Sequence, residues 1–254
     1  MRLGEKLNSD YVLKALKWCV FASFLFLPIT TGLSYIAYSD DLAVSALPWH
    51  ISVAVALLCC IAAVLLYAWY RGTNSLAAYG MIGLFTMFPI YYFFGIFGYF
   101  FFFTFAPMLS AMKWGGLAGG LAITGYWIYL VIRNVRYTIN HTRFVAAAFK
   151  EHGDGVICYE VQRGMRIFEK HFVEPSPMPK PLAYVVFAIA PFCLVLPRIL
   201  TSSFGTNGVL VVVAALGLPL SLWLVGLLVR IYLVTVALPL RIERERNVRV
   251  VVEA

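Results

Sequence analysis

The chain has 254 residues, of which 62% are hydrophobic and only 13% charged. An ordinary soluble domain carries about 45–50% apolar and about 25% charged residues. The missing charge is missing in blocks. This pattern excludes a soluble globular enzyme, a disordered tail, a nucleic-acid-binding domain and a disulfide scaffold. It leaves an all-α polytopic membrane protein, in which the net charge of +8 is read by where it sits relative to the bilayer.

A helix needs roughly 20 apolar residues to cross a ~30 Å hydrocarbon core. Residues 1–17 form a mixed polar N-terminal segment. The first apolar run, Trp18 to Tyr38, is not followed by a small-x-small cleavage site and reads as a retained span. The second runs from about Trp49 to Tyr70. Between Arg71 and Lys113 there are 41 positions without a charge. They hold either one long helix with a trailing apolar loop, a helix plus a re-entrant segment near Gly95 and Gly98, or two very short spans. The fourth candidate runs from Trp114 to Ile132, the fifth from Pro181 to about Thr201. The sixth stays apolar from about Val209 to Leu240, apart from Arg230.

Lys and Arg accumulate on the cytoplasmic side, and this bias arbitrates the count. With one span in the uncharged stretch and the N-terminus inside, 18 of the 20 basic residues fall inside, leaving only Lys113 and Arg198 outside. Two spans there would move the eight basic residues of the 133–180 loop outside. The reading is therefore six transmembrane helices with both termini cytoplasmic: spans 1–4 over 18–132, a cytoplasmic loop 133–180, spans 5 and 6 over 181–240, and a cytoplasmic tail 241–254. Trp18, Tyr38, Trp49, Trp69, Tyr70 and Trp114 stand at span ends, where amphipathic rings prefer to lie. A bacterial inner membrane is the expected location.

The loop and tail predict a small cytoplasmic cap. Arg133 to Lys150 continues the fourth helix, with Phe144–Phe149 rich in helix formers and a stop at His152-Gly153-Asp154-Gly155. Val156 to Gln162 reads as a strand and Arg163 to Phe172 as a short helix. A stiff proline linker over 175–181 leads into the fifth span. Val248 to Val252 reads as a strand that pairs with 156–162.

Gly115, Gly116, Gly119 and Gly120 give two overlapping small-xxx-small pairs, a spacing that lets helix backbones approach closely. They mark a contact with a partner or packing inside this bundle, the commoner case in a six-span protein. The third span carries rings on every face, which fits lipid exposure plus packing around Gly95 and Gly98, or a ring-lined groove. Ionisable groups within spans are costly to bury and point to function, yet the interiors of the first four spans hold no Asp, Glu, Lys or Arg. Asp40, Asp41, His50 and Arg198 define a candidate polar cluster on the outer face, unless Arg198 snorkels to water. Arg230 is an interfacial anchor if the last span is 209–229, and a buried charge needing a partner if it lies nearer 217–238; the anchor requires no unseen partner.

The five cysteines read as small buried hydrophobes. His141, His152, Cys158 and His171 share the loop, but their spacing fits no zinc pattern, so no metal, cofactor or catalytic residue is expected. Gly32-Leu-Ser34-Tyr35 lacks the second glycine of a nucleophile elbow. No span carries the carboxylate of a coupled transporter. The expectation is a non-catalytic protein that binds a partner through helix faces and its basic loop, as an accessory subunit or an immunity-type protein. The expected contacts are membrane lipid and a protein partner or second copy, without nucleic acid. The alternative is an uncoupled channel or a lipid or small-solute transporter, to which Pro89, Pro191 and Pro219 could contribute broken helices.

Overall fold

The computed structural model describes residues 10–152, 155–172 and 195–253, with Tyr184 and Ala188 between them. Five helices in it are long and apolar enough to cross a membrane: α1 (Tyr11–Asp41), α2 (Leu47–Tyr70), α3 (Leu76–Phe105), α4 (Ser110–His141) and α8 (Thr206–Arg246). Shorter helices are α5 (Phe144–Ala148), α6 (Val161–His171) and α7 (Val195–Phe204). Three strands, β1 (Phe149–His152), β2 (Val156–Glu160) and β3 (Arg249–Glu253), form one sheet. The proline linker and most of the fifth predicted span lie outside the described residues.

The uncharged stretch holds one continuous helix, α3, closed by a short loop before Ser110. Pro89 removes one backbone donor, and i→i+5 pairing follows over Tyr92–Phe101. This wider winding, a rare conformation, recurs at Tyr35–Asp41 and Tyr232–Ala237. In α1 it follows Thr30, Thr31 and Ser34, whose hydroxyls donate to carbonyls four residues back, a pairing that bends helices.

α3 and α8 form the antiparallel centre of the bundle. Four glycines of α3 face α8 in rising order while their neighbours descend: Gly80 against Thr235 and Val236, Gly83 against Ile231, Gly95 against Ser221, Gly98 against Val213. Gly217 returns the favour against the Phe94 carbonyl. Without side chains at these points the backbones close up, and dispersion contacts replace a hydrophobic drive that lipid cannot supply. The consequence for burial is a gradient. Over half of the most apolar window of α8 is buried (56%), against 17% for α2 and α4, so α8 is the axis and those two helices form the periphery.

The rings of α3 are partly or fully buried, and the packing expected around Gly95 and Gly98 is present. None of its aromatic residues is exposed. Tyr92, Phe97, Phe101 and Phe102 are buried in one cluster with Tyr38 of α1, meeting it edge-on at centroid distances of 6.4 Å for Phe97 and Phe101.

α4 ends at His141, and the helix formers after it yield only α5 before the chain turns into β1. The predicted helix to Lys150 thus stops early: residues 149–152 pair antiparallel with β2, from Phe149 opposite Tyr159 to His152 opposite Val156. β3 lies parallel to β2 on its other side, Val250 opposite Ile157 and Val252 opposite Tyr159. Asn247, in the left-handed region at φ 52°, ends α8 and turns the chain into β3. The Val252 amide also donates to the Asn74 carbonyl, which fastens the sheet to the α2–α3 turn. The cap therefore sits at the end of the bundle where α2 ends, α3 begins and α8 ends.

Candidate functional site at the junction of bundle and cap

Arg230 is buried, with 8% of its surface exposed. It is therefore not an interfacial anchor; the long α8 carries it into the interior, and the cap covers it. The cap supplies its surroundings. Glu169 Oε1 of α6 lies 3.8 Å from Nη1, and the guanidinium sits 5.8 Å from the centroid of the Phe168 ring. That separation is too long for a hydrogen bond, and the Glu169 side chain is half exposed. The Arg230 Nε is buried with no partner among the described residues.

Tyr159 of β2 stands beside it. The ring is fully buried, packed 4.9 Å from the Phe149 ring. Its hydroxyl also lacks a hydrogen-bond partner among the described residues. Burial pushes the phenol upward, while the positive charge of Arg230 pulls it partly back. Gly164 makes this placement feasible: a Cβ there would collide with the end of the Tyr159 ring. Neither Tyr159 nor Gly164 was singled out by sequence. The only available signal was an aromatic residue in a short strand and a glycine inside a short amphipathic helix.

In front of Tyr159 lies a groove of about 530 Å³ between α1, α3, α8 and the cap. Ala15, Trp18, Tyr79, Met87, Tyr159 and Met165 are among its walls. Trp18 is 64% exposed and Phe21, also on the wall, 56% exposed, so the groove opens sideways along α1.

The four glycines of α4 divide into two faces. Gly116 and Gly120 point inward: a Cβ on either would collide with Phe103 or Tyr99, and the Tyr99 hydroxyl donates to the Gly116 carbonyl at 2.8 Å. Gly115 and Gly119 have nothing within 4 Å of such a Cβ. One small-xxx-small pair is thus used inside the bundle, and the other lies on an open face.

The outer cluster assembles only in part. Asp41 accepts a hydrogen bond from Thr206 Oγ1 at 3.0 Å, tying the end of α1 to the start of α8, away from the cap. His50 instead bonds its own helix, Nδ1 to the Ala46 carbonyl at 2.8 Å, with its ring on Trp49. Asp40 closes α1 next to Asp41. The Arg198 side chain lies outside the described residues, so its pairing with Asp40 or Asp41 does too.

A polar chain that sequence reading missed joins three helices. Ser34, Ser52 and Tyr92 are linked by hydroxyl contacts of 3.0 Å each, all buried. Such hydroxyls act as interhelical glue in lipid, worth about 0.6–2 kcal/mol each.

Among the described residues no three His, Cys, Asp or Glu side chains come together as a metal set. His141 stacks on Tyr137, and His171 Nδ1 lies 2.8 Å from the Ile167 carbonyl. Cys19, Cys59, Cys60 and Cys158 are free thiols. No protein-family model matches the chain, and neither does any curated protein or solved structure.

Proposed function

We propose that the chain is a non-catalytic multi-pass membrane protein that assembles with a protein partner, or a second copy of itself, through the open face of α4 and its basic cap. The observation that carries this reading is the division of the α4 glycines. The inward pair is used in the fold; the outward pair, Gly115 and Gly119, offers backbone at the periphery with no side chain to hold another helix away. Ala111, Ala118, Ala122 and Gly125 are exposed on the same helix and extend the small surface.

The same proposal includes six spans with both termini on the cytoplasmic side of a bacterial inner membrane. Two fixed points support it. Phe172, where the described cap ends, is stacked on Phe168 in the cap. Thr206, where α8 begins, is bonded to Asp41 at the opposite end of the bundle. The proposed fifth span is the crossing that would join these two points. The basic residues of the loop and tail then share the cap side.

The test is mild-detergent purification of the tagged chain and of Gly119→Leu, with mass spectrometry of what accompanies each. A stoichiometric partner or dimer that is present with the parent chain and lost from Gly119→Leu, at unchanged helix content, is the expected result. A lone monomer in both preparations sinks the reading. The alternative function, lipid or small-solute handling, is supported by the apolar groove below the cap.

A further inference from the structure

We infer that α6 is a docking surface for anionic lipid, lying along the headgroups with the Arg163, Arg166 and Lys170 side turned toward them. The inference is independent of the α4 face. Its first support is the division of the helix into two faces. Val161, Gly164, Met165 and Phe168 are buried or half-buried. Arg163, Arg166 and Lys170 are exposed. At 3.6 residues per turn these three positions fall within about 60° of one another, opposite the apolar side. A helix with one apolar face and a basic face opposite is the form that rests on anionic membrane surfaces.

The second support is level. Val161 and Met165 share the groove with Ala15 and Trp18, where α1 passes from its polar start into its apolar run. Further along α6, the Phe168 ring sits 5.8 Å from the Arg230 guanidinium, the point at which the apolar run of α8 is interrupted. Val131 of α4, beside the end of its own apolar run at Ile132, belongs to the same buried cluster as Phe168. Three apolar runs thus give out beside α6, and headgroups begin where apolar length ends. Exposed Trp18 is the kind of ring that marks this level.

The third support is charge. The one acid of α6, Glu169, lies 3.8 Å from Arg230 of the bundle. Lys14 and Lys17, exposed next to Trp18, add to the same field. This surface selects by net charge and not by phosphate. A zwitterionic headgroup carries its own ammonium beside the phosphate and gains little, whereas anionic lipid is attracted by about 1 kcal/mol per basic side chain near the surface. A soluble acidic protein would match the charge but would have to reach it through the headgroup layer.

The experiment reconstitutes the full chain in vesicles of equal phosphatidylglycerol and phosphatidylcholine at 0.1 M salt, re-extracts it in mild detergent, and counts retained lipid by mass spectrometry. Both leaflets have the same composition, so the result does not depend on which side the cap occupies. The expected result is phosphatidylglycerol enriched about fivefold over phosphatidylcholine, the scale of one basic side chain at the surface. Phosphatidylethanolamine in place of phosphatidylglycerol should show no enrichment. Extraction at 1 M salt, where screening shortens to about 3 Å, should abolish the preference without any variant. The triple change Arg163→Gln, Arg166→Gln, Lys170→Gln should remove most of it, and Arg244→Gln with Arg249→Gln in the tail should leave it intact. Equal retention of the two lipids by the parent chain overturns the inference. So does enrichment that survives the triple change, or that the tail pair removes to the same extent.

Discussion

Arg230 is a residue whose burial is not justified by stability. A buried ion pair seldom outperforms an apolar side chain of similar volume, because desolvation offsets the Coulomb gain. Arg230→Met should therefore change the thermal midpoint little, with a cost below about 1 kcal/mol. Glu169→Ala should cost about as much as a surface pair, at most about 1 kcal/mol, because Glu169 is half exposed. Differential scanning fluorimetry of the two variants checks this, and a loss of several kcal/mol for Arg230→Met would make the arginine a structural element instead. The glycines of α4 divide the same way. Gly120→Leu has to displace Tyr99 and should cost about 1–3 kcal/mol, the range of overpacked cores, whereas Gly119→Leu should leave the midpoint unchanged. The sequence showed four equivalent glycines. Which pair pointed inward was not legible, because helix spacing fixes the angle between faces but not which face meets a neighbour. Arg230 was legible as a problem and not as a solution: its covering residues, Phe168 and Glu169, are some 60 positions away along the chain.

Among the elements, the spans were the most legible. Apolar length is a direct consequence of bilayer thickness, and the first and second helices start and stop within about two turns of their apolar runs, while the fourth runs on past Ile132 to His141, where the charged continuation of the helix was expected. The pairing of the 156–160 strand with the tail was also readable, since the valine run at 248–252 favours a strand; the structure buries Val250 and Val252 of it. β1 was missed because Phe144–Phe149 favours helix and the strand that follows, Phe149-Lys-Glu-His152, has no apolar alternation; pairing with β2 overrides local propensity there. The cap makes a checkable claim. Cys158 is buried, and its thiol is pushed up by that burial and by Glu253. The thiolate is the reactive form, so Cys158 should label slowly with maleimide near neutral pH. Val252→Asp places a charge at a buried position of β3 and should release the strand, lower the thiol back toward its ordinary range and speed labelling. Peptide-resolved mass spectrometry locates the adduct; an unchanged rate would mean that β3 does not cover Cys158. At the centre of the bundle, Gly80→Ala should destabilise by about 1–3 kcal/mol against Thr235 and Val236. Gly83→Ala, with only Ile231 at 3.6 Å, should be tolerated.

For the whole molecule, the ends of the bundle can be told apart by their chemistry: Asp41 with Thr206 at one, the basic cap at the other. A cysteine introduced at Ala43 and another at Lys150, each in a background without native thiols, should label from opposite sides of intact vesicles with a membrane-impermeant reagent. Labelling from one side would break the six-span proposal. The charge bias made this orientation readable as an expectation, but the three-dimensional order of the helices was not. The central place of α8 comes from which glycines meet, and no apolar count ranks one span above another.

The parallel pairing of β2 with β3 also sets a clock. A ribosome adding about 5–20 residues per second needs about 4–18 s to travel from the end of β2 at Glu160 to the start of β3 at Arg249. Throughout that interval β2 has β1 on one side and an open row of amides and carbonyls on the other, the kind of edge that recruits foreign strands. The nascent chain is therefore most vulnerable to misassembly while its last helix is still being made, and translation speed over residues 161–248 becomes a determinant of yield.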